Sequence, residues 1–230
     1  MKKILSVLAI AMMTAAAAMA QPGYGRPGGG PYGGGPRGGG YGMDRDRNGY
    51  FGTDWYGGIK FGLVGSHVSS ESSELNGNRV KSGISLGLAA GFNISPEAAF
   101  ESGLYYVEKG GSSKNSAGRF TYDLNYMEIP LLLKYYIYSD NRAVFQPFIG
   151  AYLGFGVSGE IKDYGAREAF NSYGSGYFRR GDSGLTFGCG VSWSFLYASM
   201  GYELGLANIG RDYFYDTRNR ALIFSVGFAF

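Results

Sequence analysis

From Trp55 onward, large apolar residues alternate with small or polar ones at a period of two. That period belongs to β-strands, whose successive side chains point to opposite faces. In KSGISLGLAAGFNI, Ile84, Leu86, Leu88, Ala90, Phe92 and Ile94 share one face, while Gly83, Ser85, Gly87, Ala89, Gly91 and Asn93 share the other. Further on, Leu185, Phe187, Cys189, Val191 and Trp193 stand against Thr186, Gly188, Gly190, Ser192 and Ser194. The last residues repeat the scheme, with Leu222, Phe224, Val226, Phe228 and Phe230 opposite Ala221, Ile223, Ser225, Gly227 and Ala229. The second face is small rather than charged, so it does not read as a water-facing surface.

The pattern predicts eight strands, at 55–68, 82–94, 98–108, 120–137, 144–158, 185–195, 197–208 and 220–230. Most reach the roughly 9–11 residues that a tilted strand needs to cross a bilayer. Short connections at 95–97, 139–143 and near Phe195 alternate with long polar links at 69–81, 109–119, 159–184 and 209–219. Short turns at one end and long loops at the other are the plan of an outer-membrane barrel. The expected fold is therefore all-β: an eight-stranded antiparallel up-and-down transmembrane β-barrel, its bulky face on lipid and its small face on a narrow lumen. Closure satisfies every backbone group in hydrocarbon. A soluble sandwich or lipocalin-like barrel would also alternate, but its outward face would carry Lys, Glu and Thr rather than Leu, Phe and Val.

The first twenty residues, MKKILSVLAIAMMTAAAAMA, read as a secretory signal peptide: Lys2 and Lys3, an apolar run, then Ala18-Met19-Ala20 as a small-x-small cleavage site. Removing the two lysines takes the formal charge from +3 to about +1, which leaves no electrostatic footprint for nucleic acid. Residues 21–54 form a Gly/Pro/Arg-rich segment with too little apolar area to offset chain entropy, so a disordered tail is expected before a barrel domain at 55–230. An even number of strands then leaves both chain ends on the periplasmic side. One cysteine, Cys189, excludes an internal disulfide, and the single histidine, His67, removes most zinc chemistry.

The segment LNYMEIPLLLKYY at 124–136 resembles the signature of the small outer-membrane β-barrel family that includes the PorT-like proteins. ESGLYYVEKGG at 101–111, QPFIGAYLGFGVS at 146–158 and MGYELGLANIG at 200–210 resemble that family's third, fifth and seventh strands, and a final strand with an aromatic end follows. The resemblance spans about residues 55–230 and implies an eight-stranded barrel in a Gram-negative outer membrane. It implies no particular reaction. The PorT-like branch is linked to a protein secretion system, which makes a component of such a system one alternative reading.

Candidate chemistry is sparse. Gly83-Ile84-Ser85-Leu86-Gly87 spells a nucleophile elbow but sits mid-strand, where that motif needs a strand-to-helix turn. Asp44-Arg45-Asp46-Arg47-Asn48-Gly49 copies the opening of a calcium loop, yet Trp55 stands where the bidentate glutamate belongs. His67, beside Ser66, Ser69 and Ser70, would need an orienting carboxylate from Asp123, Asp163, Asp182 or Asp212, and parity sends it to the lipid side. No catalytic, cofactor or metal residue is assigned, and a rim acyltransferase or protease is the enzymatic alternative.

Two sets of residues do stand out. Parity places Lys60, Glu101, Glu128, Lys134 and Glu203 in the lumen with Tyr56, Tyr105, Tyr152 and Tyr197, where charges withdrawn from water should pair. Phe224, Val226, Phe228 and Phe230 form an aromatic-rich terminal row expected to serve as a membrane-insertion signal for the barrel assembly machinery. Trp55, Trp193 and Phe195 join Phe228 and Phe230 in an expected girdle at the periplasmic boundary. The loop at 159–184 carries Arg167, Arg179 and Arg180 among aromatic residues and offers contacts to lipopolysaccharide phosphates or to a protein. The expected role is structural or interactive, with outer-membrane lipid as the constant partner.

Overall fold

The computed structural model describes residues 55–70, 79–115, 118–139, 143–163, 168–174, 177–212, 214 and 216–229. The signal segment, the Gly/Pro-rich tail, the calcium-like stretch at 44–49, Arg167 and Phe230 lie outside the described residues.

The alternating runs form β1 (Trp55–Ser70), β2 (Lys81–Ser95), β3 (Ala98–Asn115), β4 (Gly118–Tyr135), β5 (Ile137–Tyr138), β6 (Ala143–Ser158), β7 (Glu160–Asp163), β8 (Glu168–Asn171), β9 (Gly181–Trp193), β10 (Leu196–Gly205) and β11 (Thr217–Ala229). Eight of them make the wall, in the order β1-β2-β3-β4-β6-β9-β10-β11, each antiparallel to its neighbours. Closure comes from β11 pairing back on β1, from Gly58↔Ala229 to Ser70↔Thr217. The chain is thus a closed, up-and-down, eight-stranded barrel with no open edge along its wall. β5 continues β4 along β6, and the β7–β8 hairpin extends β4 beyond the barrel mouth.

The chain turns tightly at one end, where Ser194 takes φ 55° in the two-residue link between Trp193 and Leu196. The described strand ends at Trp55 and Ala229 lie at this same end. At the opposite end β3 runs seven residues past Glu108, to Asn115, paired with β4 throughout. The expected loop at 109–119 is therefore strand over most of its length. Its glycines and serines hide the alternation: Gly111 and Ser113 are buried under the barrel mouth, and a Cβ at Gly111 would collide with the Tyr122 hydroxyl. Gly110 takes φ 147°, with the Tyr122 carbonyl where a side chain would start. Only glycine fits such a site.

The two faces differ as their periodicity implies. Leu63, Ile84, Leu104, Leu133, Ile149, Leu153, Phe187, Phe224 and Val226 stand exposed on the outer wall. Inside, aromatic rings lie on glycines of neighbouring strands, Tyr56 on Gly91 and Tyr197 on Gly190, closer than a Cβ could approach. Flat glycines on the wall are what admit large rings to so narrow a lumen. Trp55, Trp193, Phe195 and Phe228 ring the short-turn end, where Phe195 stacks on Phe228 at 6.0 Å.

Cys189 is outward on β9 between Phe187 and Val191, opposite Pro147 and Met200 on the flanking strands. A water-soluble maleimide should label this thiol in the denatured protein and leave the inserted barrel unlabelled. Rapid labelling of the inserted barrel would put β9 in the opposite register.

Candidate functional site

The polar chemistry of the barrel is inside it, at two levels. Nearer the short turns, Glu101 of β3 receives Lys60 Nζ at 2.5 Å on one oxygen and Lys134 Nζ at 2.5 Å on the other. The Tyr56 hydroxyl donates to the same carboxylate at 3.2 Å. Both ammonium groups also lie over the Tyr197 ring, at 4.5 and 4.6 Å, where its π face favours cations. The register explains the meeting. Glu101 is paired with Gly91 on β2 and Leu132 on β4, and Lys60 sits between Gly87 and Gly227. Glycine partners leave Lys60 a free path across the lumen.

The second level lies toward the long loops and is organised by Lys109 of β3. Its Nζ is 2.6 Å from Glu128, 2.7 Å from Glu203 and 3.8 Å from Asp182. It sits 4.3 Å from the centre of the Tyr152 ring and 5.6 Å from that of Tyr126. Asp182 also accepts from Asn219 Nδ2 at 2.8 Å and from the Tyr152 hydroxyl at 3.3 Å. Glu128 and Asp182 are brought to one height because both pair with Gly154 of β6, from either side. The inner level thus holds two ammonium groups for one carboxylate, and the outer level one ammonium for three carboxylates. Between the levels lies a cavity of about 90 Å³ bordered by Lys60, Glu101, Glu128 and Glu203.

All five residues assigned to the lumen from parity line it, but in separate groups: Lys60, Glu101 and Lys134 together, Glu128 and Glu203 apart from them around Lys109. Lys109 and Asp182 are absent from the sequence-based set. The alternation puts both in loops, Lys109 one residue past the expected strand at 98–108 and Asp182 three residues before the one at 185–195. The available signal was the unpaired excess of acid in that set, three carboxylates against two lysines, which asks for another cation.

Above the second level the long-loop end is capped. Phe178 is 1% exposed and packs against Tyr122 at 5.6 Å and Phe214 at 5.1 Å, with Val68, Leu124, Ile161 and Ile209 around them. Phe178 N donates to the Ser172 carbonyl and Arg179 N to the Ile209 carbonyl. Arg180 donates to the Gly156 carbonyl at 2.7 Å and lies 5.1 Å from the Tyr173 ring centre. Burial pushes the Tyr173 hydroxyl above the usual phenol range, so it remains a neutral donor to the Asn125 carbonyl. The described part of loop 159–184 is a packed lid on the lumen, built from aromatic residues that carry no periodic signal.

His67 is outward near the long-loop end of β1, opposite Arg220 of β11. Among the described residues no carboxylate lies within ion-pair distance of it. Of the acids the sequence offers to orient it, Asp123 pairs with Lys81 at 2.6 Å and Asp182 belongs to the lumen. The structure does not bring a triad together there. Phe224, Val226 and Phe228 form one outward row on β11.

Closed wall, apolar exterior and ion-paired interior define a small β-barrel of the membrane-spanning type. Residues 46–211 match the family model described as "Outer membrane protein beta-barrel domain", and the chain belongs to that family. It is an outer-membrane β-barrel protein. No curated protein matches it. Among solved structures it is similar to the attachment invasion locus protein Ail of Yersinia pestis, at 14% identity over 77% of this chain and 100% of that one, with a TM-score of 0.43. It is also similar to neisserial surface protein A, at 18% identity over 77% and 96%, TM-score 0.44. The outer membrane protein OprG of Pseudomonas aeruginosa matches at 15% identity over 80% and 98%, TM-score 0.44.

Proposed function

We propose that this protein is a non-enzymatic barrel of a Gram-negative outer membrane that acts through its long-loop surface, with its short turns and both chain ends in the periplasm. The observation that carries this reading is the closed interior: two ion-paired levels cross the lumen and the Phe178 lid covers its outer end. A passage for solutes would need those ion pairs broken in hydrocarbon surroundings, where separated charges are strongly disfavoured. Loop 159–184 then becomes a contact surface for lipopolysaccharide or a protein partner. The outward row Phe224, Val226 and Phe228 is the part of the last strand presented to the barrel assembly machinery, and Phe230 extends its pattern. A place in a PorT-like secretion system rests on the LNYMEIPLLLKYY resemblance alone.

Reconstituted in planar bilayers, the protein should give no stable, reproducible conductance steps. Ion-selective steps of constant size would show an open lumen and replace this reading with that of a channel.

A further inference from the structure

Among the described residues, one sector of the long-loop end carries arginines with no ion-pair partner. Between the segments 177–181 and 208–212 lies an open cleft of about 670 Å³, bordered by Arg179, Arg180 and Arg211, with Asp212 as its carboxylate. Three guanidinium groups against one carboxylate leave a local excess of two positive charges. Among the described residues, no acid lies within ion-pair distance of any of the three. The two segments are held to one another by backbone: Phe178 and Gly210 form an antiparallel bridge, Arg179 N donates to Ile209 at 2.7 Å, and Arg211 N donates to Tyr177 at 2.9 Å. Phe178, buried beneath, anchors the pair of segments to the lid. The arginines are therefore displayed on an ordered edge.

The height of this edge matters as much as its charge. Below it Leu185 on β9 and Leu206, just past the end of β10, are exposed, and the apolar band continues from there toward the short turns. On the adjoining strand Arg220 is paired with Leu204 on one side and His67 on the other, just above Leu222. Arg179 and Arg180 just before β9, Arg211 beyond β10 and Arg220 on β11 thus stand on the long-loop side of this apolar band. On the opposite sector two of the cations are ion-paired, Lys81 with Asp123 at 2.6 Å and Lys162 with Glu160 at 3.1 Å.

We infer that the Arg179–Arg180–Arg211 cleft binds the phosphate groups of a phosphorylated lipid saccharide of the surrounding outer leaflet. Guanidinium groups suit this ligand because their planar N–H forks meet phosphate oxygens in pairs. A cleft of this size takes a sugar ring along with its phosphate. Its place at the edge of the apolar band favours a lipid-borne phosphate over one free in solution, since the acyl chains can lie along Leu185, Leu206 and Leu222. The inference rests on the outer-membrane orientation proposed above.

The test uses Arg179→Gln/Arg211→Gln, which spares Arg180 because its guanidinium also holds the Gly156 carbonyl. A control, Arg79→Gln/Lys162→Gln, removes two charges from the other sector. Each barrel is first checked for insertion into lipid vesicles by its heat-sensitive gel shift. Binding of diphosphorylated lipid A is then measured by native mass spectrometry, beside dephosphorylated lipid A and inorganic phosphate. The expected result is at least a tenfold loss of diphosphorylated lipid A binding in the cleft variant, with the control within twofold of the wild type. Equal binding by the cleft variant would overturn the inference, as would equal binding of dephosphorylated lipid A. Displacement of the lipid by an equimolar amount of inorganic phosphate would make the cleft a site for free anions instead. Failure of the wild type to insert at all would strike the membrane reading itself, whereas insertion without lipid A binding strikes the cleft alone.

Discussion

Replacing Lys109 by methionine should destabilise the barrel more than any other single change in its lumen. Lys109 is 0% exposed and is the one ammonium group among three carboxylates, at 2.6, 2.7 and 3.8 Å. Methionine keeps much of the volume against Tyr152 and Tyr126 but removes the charge. Three buried acids would then face one another without a cation. Removing one partner of a buried ion pair costs on the order of 3–5 kcal/mol, because the remaining charge is left without solvent or counter-charge. Urea unfolding from lipid vesicles at neutral pH should show a loss of about that size, together with a weaker heat-sensitive gel band. Adding Glu128→Gln and Glu203→Gln to the same variant should recover most of the loss, since neutral amides need no cation. Recovery would identify charge rather than shape as the cause. Wild-type stability in the single variant would mean that the carboxylates are not held in the arrangement described.

The contrast between Lys109 and Lys60 marks how far the sequence could be read. Within the lipid-facing part of the wall the outer residues must be apolar, so alternation is strict and the lumen row follows by parity. Lys60, Glu101, Glu128, Lys134 and Glu203 were legible for that reason. Beyond the lipid the outer residues are free to be polar while the hydrogen-bonded ladder continues, as β3 and β4 do from Lys109↔Leu124 to Asn115↔Gly118. There the pattern fades although the strand does not. Lys-Gly-Gly-Ser-Ser at 109–113 then reads as a loop, and Asp182 is lost in the same way at the start of β9. The grouping of charges into two levels was out of reach as well. It depends on cross-strand register, through pairs such as Gly154 with Glu128 and Asp182, and parity alone carries no register. The lid is the extreme case: Phe178, Ile209 and Phe214 come from two loops and pack with no repeat to announce them.

That lid should open locally when Phe178 is replaced by alanine, while the barrel beneath stays closed. A buried Phe→Ala change costs about 3–5 kcal/mol through lost contacts and residual cavity, and the Phe178 ring packs on both Tyr122 and Phe214 within the buried cluster. The wall does not depend on it, because the eight strands are paired among themselves from Gly58↔Ala229 around to β10 and β11. The loss should therefore appear as local opening rather than global unfolding. Arg179 and Arg180 follow directly in the chain and provide the readout. In the wild type Arg180 is pinned to Gly156 and stacked near Tyr173, so trypsin should cut there slowly. In Phe178→Ala, cleavage after Arg179 and Arg180 should accelerate by about a hundredfold, the factor that roughly 3 kcal/mol of local opening implies. The heat-sensitive gel shift should persist, and planar bilayers should still show no conductance steps, because the two ion-paired levels remain. Unchanged trypsin cleavage would mean that the aromatic cluster does not hold the lid. Conductance appearing with the nick would mean that the lid, rather than the charge network, seals the barrel.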